Sequence, residues 1–147
     1  KMWPTATLFQ KIYMARFTRT ASTLVAAGVP LLQVLDISSE AVNNIHVERA
    51  IMRAGEKVKD GKSLADAMEG DENFSDMVPN MIRIGEQSGA LEQMMAKIAD
   101  YYEKETDDAI AAISTIIEPV MMVMLGLIAI FIVVAVLLPI YSLAGGL

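Results

Sequence analysis

Apolar positions recur at three- and four-residue intervals through nearly the whole chain, and no stretch alternates as a half-buried strand does, so the pattern predicts an all-α fold. A first helix is expected over about Leu8 to Ala27, with Phe9, Tyr13, Phe17 and Leu24 on one face and Gly28 as its stop. Pro30 opens a second, about Leu31 to Asn43, with Leu31, Val34, Leu35, Ser38, Ala41 and Val42 inward. Asn44 caps a third, which runs to Asp60 with Val47, Ala50, Ile51, Ala54 and Val58 inward before Gly61 ends it. Ser63, with Asp66 three residues on, resembles a capping box that has Asp in place of the usual Glu and opens a short helix, Leu64 to Glu69. Past an acidic loop, a fifth helix covers Met77 to Gln87 and tolerates Pro79 in its first turn, where no N–H bond is lost. Ser88 and Gly89 make the next turn. From Ala90 the positions Leu91, Met94, Met95, Ile98, Tyr102, Ala109, Ile113 and Ile116 keep a helical step with no Gly or Pro until Pro119.

That sixth helix should continue into Val120 to Leu138, nineteen residues without charge, amide or hydroxyl. At about 1.5 Å per residue the run spans roughly 29 Å, close to the hydrocarbon thickness of a bilayer. A buried helix this apolar all round would need a larger and less amphipathic protein around it. The expected organisation is a six-helix cytoplasmic bundle over residues 1–115, its last helix continuing into a C-terminal transmembrane helix over 116–141, and a short external tail, 142–147. Every Lys and Arg precedes the run, Lys97 and Lys104 being the nearest, which places the body in the cytoplasm and the C-terminus outside, with Tyr141 at the outer interface. Pro119 is the expected flaw: its ring crowds the Thr115 carbonyl and removes one hydrogen bond, bending the helix at the headgroups, with Ser114 and Thr115 at hand for the freed groups.

Charge is unevenly spread. Residues 1–35 hold Lys1, Lys11, Arg16 and Arg19 and no acid, whereas all eighteen acids fall in 36–118 with eight bases. A basic first helix suits anionic lipid heads, an acidic partner, or simply solvent, while the acidic remainder argues against nucleic acid. Without Cys there is no disulfide, thiol chemistry or cysteine zinc site.

Catalytic constellations are missing from the pattern. His46 is the single histidine, which removes histidine-pair metal sites and a Ser-His-Asp triad, and surface packing accounts for it. Neither GxxxxGK[ST] nor GxGxxG occurs. The loop carrying Glu69, Asp71, Glu72 and Asp76 has carboxylates for a hard cation but not EF-hand spacing, so no metal and no cofactor are expected. The eleven Met residues fill helical cores and spans more readily than they make a docking surface.

Two features ask for more. Glu118 stands two residues before the uncharged run, where a carboxylate must reach water, a base or polar backbone. Gly85-Glu86-Gln87-Ser88-Gly89 brackets a charged turn between two glycines: Gly89 suits a left-handed stop, while Gly85 on the helix costs about 1 kcal/mol against Ala and suggests close backbone packing.

Four strings carry a family resemblance: ARFTRTASTLVAAGVPLLQVLDISSEAVNN (Ala15 to Asn44), VKDGKSLADAM (Val58 to Met68), VPNMIRIGEQSGALEQMMAKIADYYEKE (Val78 to Glu105) and IIEPVMMVMLGLIAIFIVVAVLLPIYSL (Ile116 to Leu143). In order and over nearly the whole chain they resemble the polytopic inner-membrane platform protein of type IV pilus assembly and type II secretion, the PilC/GspF family. Arg16, Gly28, Pro30, Gly61, Gly85, Glu86, Gly89, Glu118 and Pro119 fall where that family's pattern has them. The resemblance implies the second of two related cytoplasmic domains followed by the last of three spans, with Lys1, Met2, Trp3 and Pro4 just after a preceding span.

The resemblance also implies a non-enzymatic scaffold, a homo-oligomer in contact with membrane lipid, an assembly ATPase, pilin or pseudopilins and other inner-membrane assembly proteins. Arg16 and Arg19, three apart on one side of the first helix, and Gly85, Glu86 and Gly89 are the expected partner-interface residues, with Glu118 and Pro119 at the membrane border. Glu86 and Arg16 are expected to project as exposed charges whose removal barely disturbs the fold. A C-terminally anchored helical sensor or signalling adaptor is the rival reading, weakened by the lack of heptads over any long polar stretch. An intramembrane enzyme would need polar groups at membrane depth, and the run has none.

Overall fold

The computed structural model describes residues 4–146, with side chains from Ala6 onward, so the expectations that touch Lys1, Met2 and Trp3 lie outside the described residues. Among the described residues there are six helices and no strand: α1 Pro4–Ala26, α2 Leu31–Ala41, α3 Ile45–Lys59, α4 Leu64–Met68, α5 Met77–Ser88 and α6 Leu91–Ala144. The chain forms two compact units, one ending at Asp107 and one beginning at Asp108.

Local chemistry sets most helix ends of the first unit. At the end of α1, Gly28 turns left-handed (φ 79°), and the Val29 and Gly28 N–H groups return to the carbonyls of Leu24 and Val25, the paired bonds of a Schellman stop. Asn44 Oδ1 accepts from His46 N and Val47 N at 3.0 and 3.1 Å and so starts α3. Helix α2 ends two residues before the expected Asn43, because Asn43 itself takes φ 57°, a conformation that Asn tolerates and most residues avoid.

The core of this unit is one cluster of apolar side chains from all six helices, including Phe17, Ile51, Leu64, Met68, Ile82, Met95 and Ile98. Phe17 meets Phe74 with ring centroids 6.4 Å apart. Two expected core residues are not in it. Phe9 is 53% exposed, because the buried stripe of α1 follows Met14, Phe17, Thr18 and Ala21, and one turn earlier that face is occupied by Gln10, whose amide donates to the Asn73 carbonyl. Ala41 is exposed at the edge of the α2 stripe, which Val34, Leu35, Ser38, Ser39 and Val42 define. Ser38 is fully buried and its hydroxyl has no hydrogen-bond partner.

The second unit is the remainder of α6. It is the one helix among the described residues long and apolar enough to cross a membrane, and none of its apolar window is buried within the chain. Helix α6 includes both Pro119 and Pro139. Ser114 and Thr115 do not serve the groups freed by Pro119 as expected: their hydroxyls donate to the carbonyls of Ile110 and Ala111, four residues back, at 3.1 and 3.0 Å.

Candidate functional site

Gly85 to Gly89 form the end of α5 and its turn into α6. Gly85 is buried, and a Cβ built on it would lie 2.9 Å from Leu91 Cα and 3.1 Å from Met94 Cβ and Cγ. Helices α5 and α6 touch here backbone to backbone, which is the further reason the glycine asks for. Gly89, at φ 70°, takes the left-handed cap, and Ala90 N–H bonds back to the Gly85 carbonyl at 2.9 Å.

Glu86 corrects the sequence reading. It is half-buried rather than projecting, and its carboxylate accepts from Leu64 N at 2.7 Å and Ala65 N at 3.2 Å. Ser63 Oγ accepts from Asp66 N, and the Ser63 carbonyl accepts from Ala67 N, so all four leading N–H groups of α4 have acceptors. The carboxylate thereby also sits at the positive end of a helix. Asp66 does not close the expected capping box; it pairs with Arg83 of α5 at 2.9 Å, beside Glu69 at 2.8 Å. Residues 22 apart in sequence carry this arrangement, which no local pattern reveals.

Arg19 is likewise engaged within the chain. Its guanidinium grips Glu103 of α6 through two parallel bonds of 2.9 Å and reaches Asp100 as well, while Lys11 pairs with Glu105 at 2.7 Å. The basic first helix therefore finds an acidic partner in α6, and the signal that pointed to it was the charge asymmetry between the front of the chain and the rest. Arg16, three residues from Arg19, is exposed and among the described residues forms no ion pair; it borders an open groove with Ile12, Thr20, Thr106 and Asp107.

Hydrogen bonding to Arg19 holds the Glu103 carboxyl below the ordinary carboxylate range, and the Glu103 and Asp100 bonds raise the Arg19 guanidinium. A carboxyl whose folded value is depressed contributes stability above its unfolded value, and that contribution disappears as pH falls through the folded one. The chain in detergent is expected to lose stability from about pH 4.5 downward, by about 1 kcal/mol for this half-exposed pair, and less in high salt. Arg19→Ala should flatten that part of the pH profile of thermal unfolding; an unchanged slope would deny the clamp any energetic role.

In the acidic loop, burial pushes the Asp71 carboxyl upward but is outweighed by bonds from Asn73 N, Arg53 and Asn73 Nδ2, which leave it below its usual range. Among the described residues no three His, Asp or Glu side chains gather as a metal site would require. His46 is exposed on α3. Glu118 lies on α6 and among the described residues makes no ion pair; Pro119 follows it within the helix.

The helical order, the tight α5–α6 corner and the long apolar helix can be set against known proteins. The family model described as type II secretion system (T2SS), protein F, matches residues 17–139. The chain belongs to the type II secretion system protein F family. Among its relatives in this PilC/GspF family, the type IV pilus assembly protein PilC of Myxococcus xanthus is 39% identical over the whole of this chain and 37% of its own length. PilC of Pseudomonas aeruginosa is 41% identical over 92% of this chain and 36% of its own. The type II secretion system protein F of the same bacterium is 37% identical over 88% of this chain and 32% of its own. The chain thus spans about a third of the length of these family members. Of the seven residues named as interface or membrane border, Arg16 alone lies outside the stretch that the family model matches, although the Myxococcus xanthus relative covers it.

Proposed function

We propose that this chain is part of a non-enzymatic inner-membrane platform, on which a cytoplasmic assembly ATPase acts so that pilin or pseudopilin subunits leave the bilayer and join a filament. The observation that carries the reading is the family match across residues 17–139, supported by an α-helical body followed by an apolar helix of membrane-spanning length. In this reading residues 1–115 are cytoplasmic, 116–141 cross the membrane and 142–147 emerge outside. Chemistry belongs to the ATPase, whose force the platform transmits, so stoichiometric binding of ATP to the purified chain would contradict the proposal.

Arg16 is its best interface candidate, because Glu86 and Gly85 serve the fold and Arg19 is held by α6. Arg16→Ala in the full-length platform protein is expected to leave thermal unfolding within about 0.5 kcal/mol of the parent, as for an exposed residue, while filament assembly drops. Normal assembly would remove Arg16 from the docking surface. Membrane placement has its own test: alkaline carbonate should fail to extract the chain, and protease from the periplasmic side should spare the helical body.

A further inference from the structure

After Lys104 the chain has no Lys or Arg, only Glu105, Asp107, Asp108 and Glu118. Cytoplasmic borders of membrane spans ordinarily carry basic residues, so an acidic border is a feature to be accounted for. Ahead of the uncharged run, Ile110, Ile113 and Ile117 recur on one face of α6 and are 49%, 47% and 53% exposed. From Ile110 to Leu143 the helix is apolar apart from Ser114, Thr115, Glu118, the Tyr141 hydroxyl and Ser142, a length of roughly 50 Å against about 30 Å of hydrocarbon. One end of that surface must stand outside the hydrocarbon and be covered there.

The rest of the same segment narrows the choice of cover. Ala111, Ser114, Thr115 and Glu118 form a second face, and both hydroxyls on it are spent on the helix's own carbonyls. That leaves Glu118 as its polar group without an internal partner among the described residues. Anionic lipid heads would meet Asp107, Asp108 and Glu118 with like charge. A second copy packed in parallel would set Glu118 beside Glu118. A cationic group removes both difficulties, since a carboxylate near membrane depth is held most cheaply by a base.

We propose that the Ile110, Ile113 and Ile117 face packs against a second transmembrane helix that carries Lys or Arg at the same membrane border, where the long basic side chain reaches Glu118. The inference rests on the reading of α6 as a span whose leading end faces the cytoplasm. It accounts together for the exposed isoleucines, the unpaired carboxylate and the absence of basic residues beyond Lys104. Orientation is then shared: the neighbouring span adds, at the border itself, positive charge that this chain carries no nearer than Lys104.

The absence of cysteine allows a single dye to be placed by Ser142→Cys on the full chain, reconstituted in phosphatidylcholine vesicles. Energy transfer is measured to synthetic Leu/Ala spanning peptides that carry two Lys, two Ser or two Glu at one border. The Lys peptide is expected to bind about ten-fold tighter than the Ser peptide, and the Glu peptide more weakly than either. Glu118→Gln should abolish the Lys preference, and Ile113→Ser should weaken binding of the Lys peptide. Equal binding of the three peptides to an inserted chain overturns the proposal, and so does transfer between labelled copies that saturates before the Lys peptide binds. Extraction of the chain by alkaline carbonate would overturn the span reading itself and this proposal with it.

Discussion

Gly85→Val is expected to destabilise the helical body by about 3 kcal/mol, the upper end of what overpacking costs, and to lower its melting temperature by roughly 10 °C or more. The first added carbon already falls 2.9 Å from the Leu91 Cα, so what must yield is backbone rather than the tip of a flexible side chain. Met94 Cβ and Cγ close the other side at 3.1 Å. Moving Leu91 means lifting the first turn of α6, and with it Met95 and Ile98, both fully buried. Gly85→Ala should lose less, because a gain of about 1 kcal/mol in helix propensity offsets part of the clash. Gly55→Ala is the control, since its new carbon would sit 3.9 Å from Leu35 Cδ1, an ordinary contact, and the variant should be neutral or slightly more stable. On a Tyr141→Phe background, near-ultraviolet dichroism of Tyr13, Tyr101 and Tyr102 reports the body without the membrane helix. A Gly85→Val chain that melts with the parent would show that the corner opens at little cost.

The second large effect is expected at Glu86. Replacement by Ala leaves the N–H groups of Leu64 and Ala65 without acceptors beside a fully buried Leu64, and the loss should be about 2 kcal/mol. Gln keeps one acceptor oxygen but not the charge at the helix end, so Glu86→Gln should fall between the two. Because the effect is local before it is global, amide exchange at Leu64 and Ala65 is the sharper measurement. Both amides should exchange about ten-fold faster or more in Glu86→Ala, in line with a loss above 1.4 kcal/mol. Unchanged protection would mean that water replaces the carboxylate without penalty.

These two positions also show what the sequence could and could not reveal. Caps and stops were legible because their partners lie within a few residues: Asn44 on α3, Ser63 on α4, Gly89 after α5. The apolar run of α6 was legible because composition alone carries it. Gly85 was half legible, since an unfavourable residue on a helix announces a close approach without saying to what. Glu86 was misread as a free charge, and the internal partners of Arg19 were not foreseen, for the groups that meet them lie 21 to 84 residues away and only the packing of α4 and α6 brings them near. Phe9 failed for a different reason: Phe17, Tyr13 and Leu24 of the same expected face do reach the core, but at the start of the helix the inward place is taken by Gln10, whose amide donates to a carbonyl.

The hydroxyls of α6 carry a last consequence. Thr106, Ser114, Thr115 and Ser142 all give their hydrogen to a carbonyl of their own helix. Between Asp108 and Tyr141 the outer surface of that helix has no spare hydroxyl hydrogen with which to read a neighbour. Such a surface holds little vocabulary: the volume of its side chains and the sign of one carboxylate. Neighbours of the right shape and charge are interchangeable to it, so its isoleucines are free to drift to valine or leucine as long as the contour is kept, whereas a change at position 118 rewrites the message.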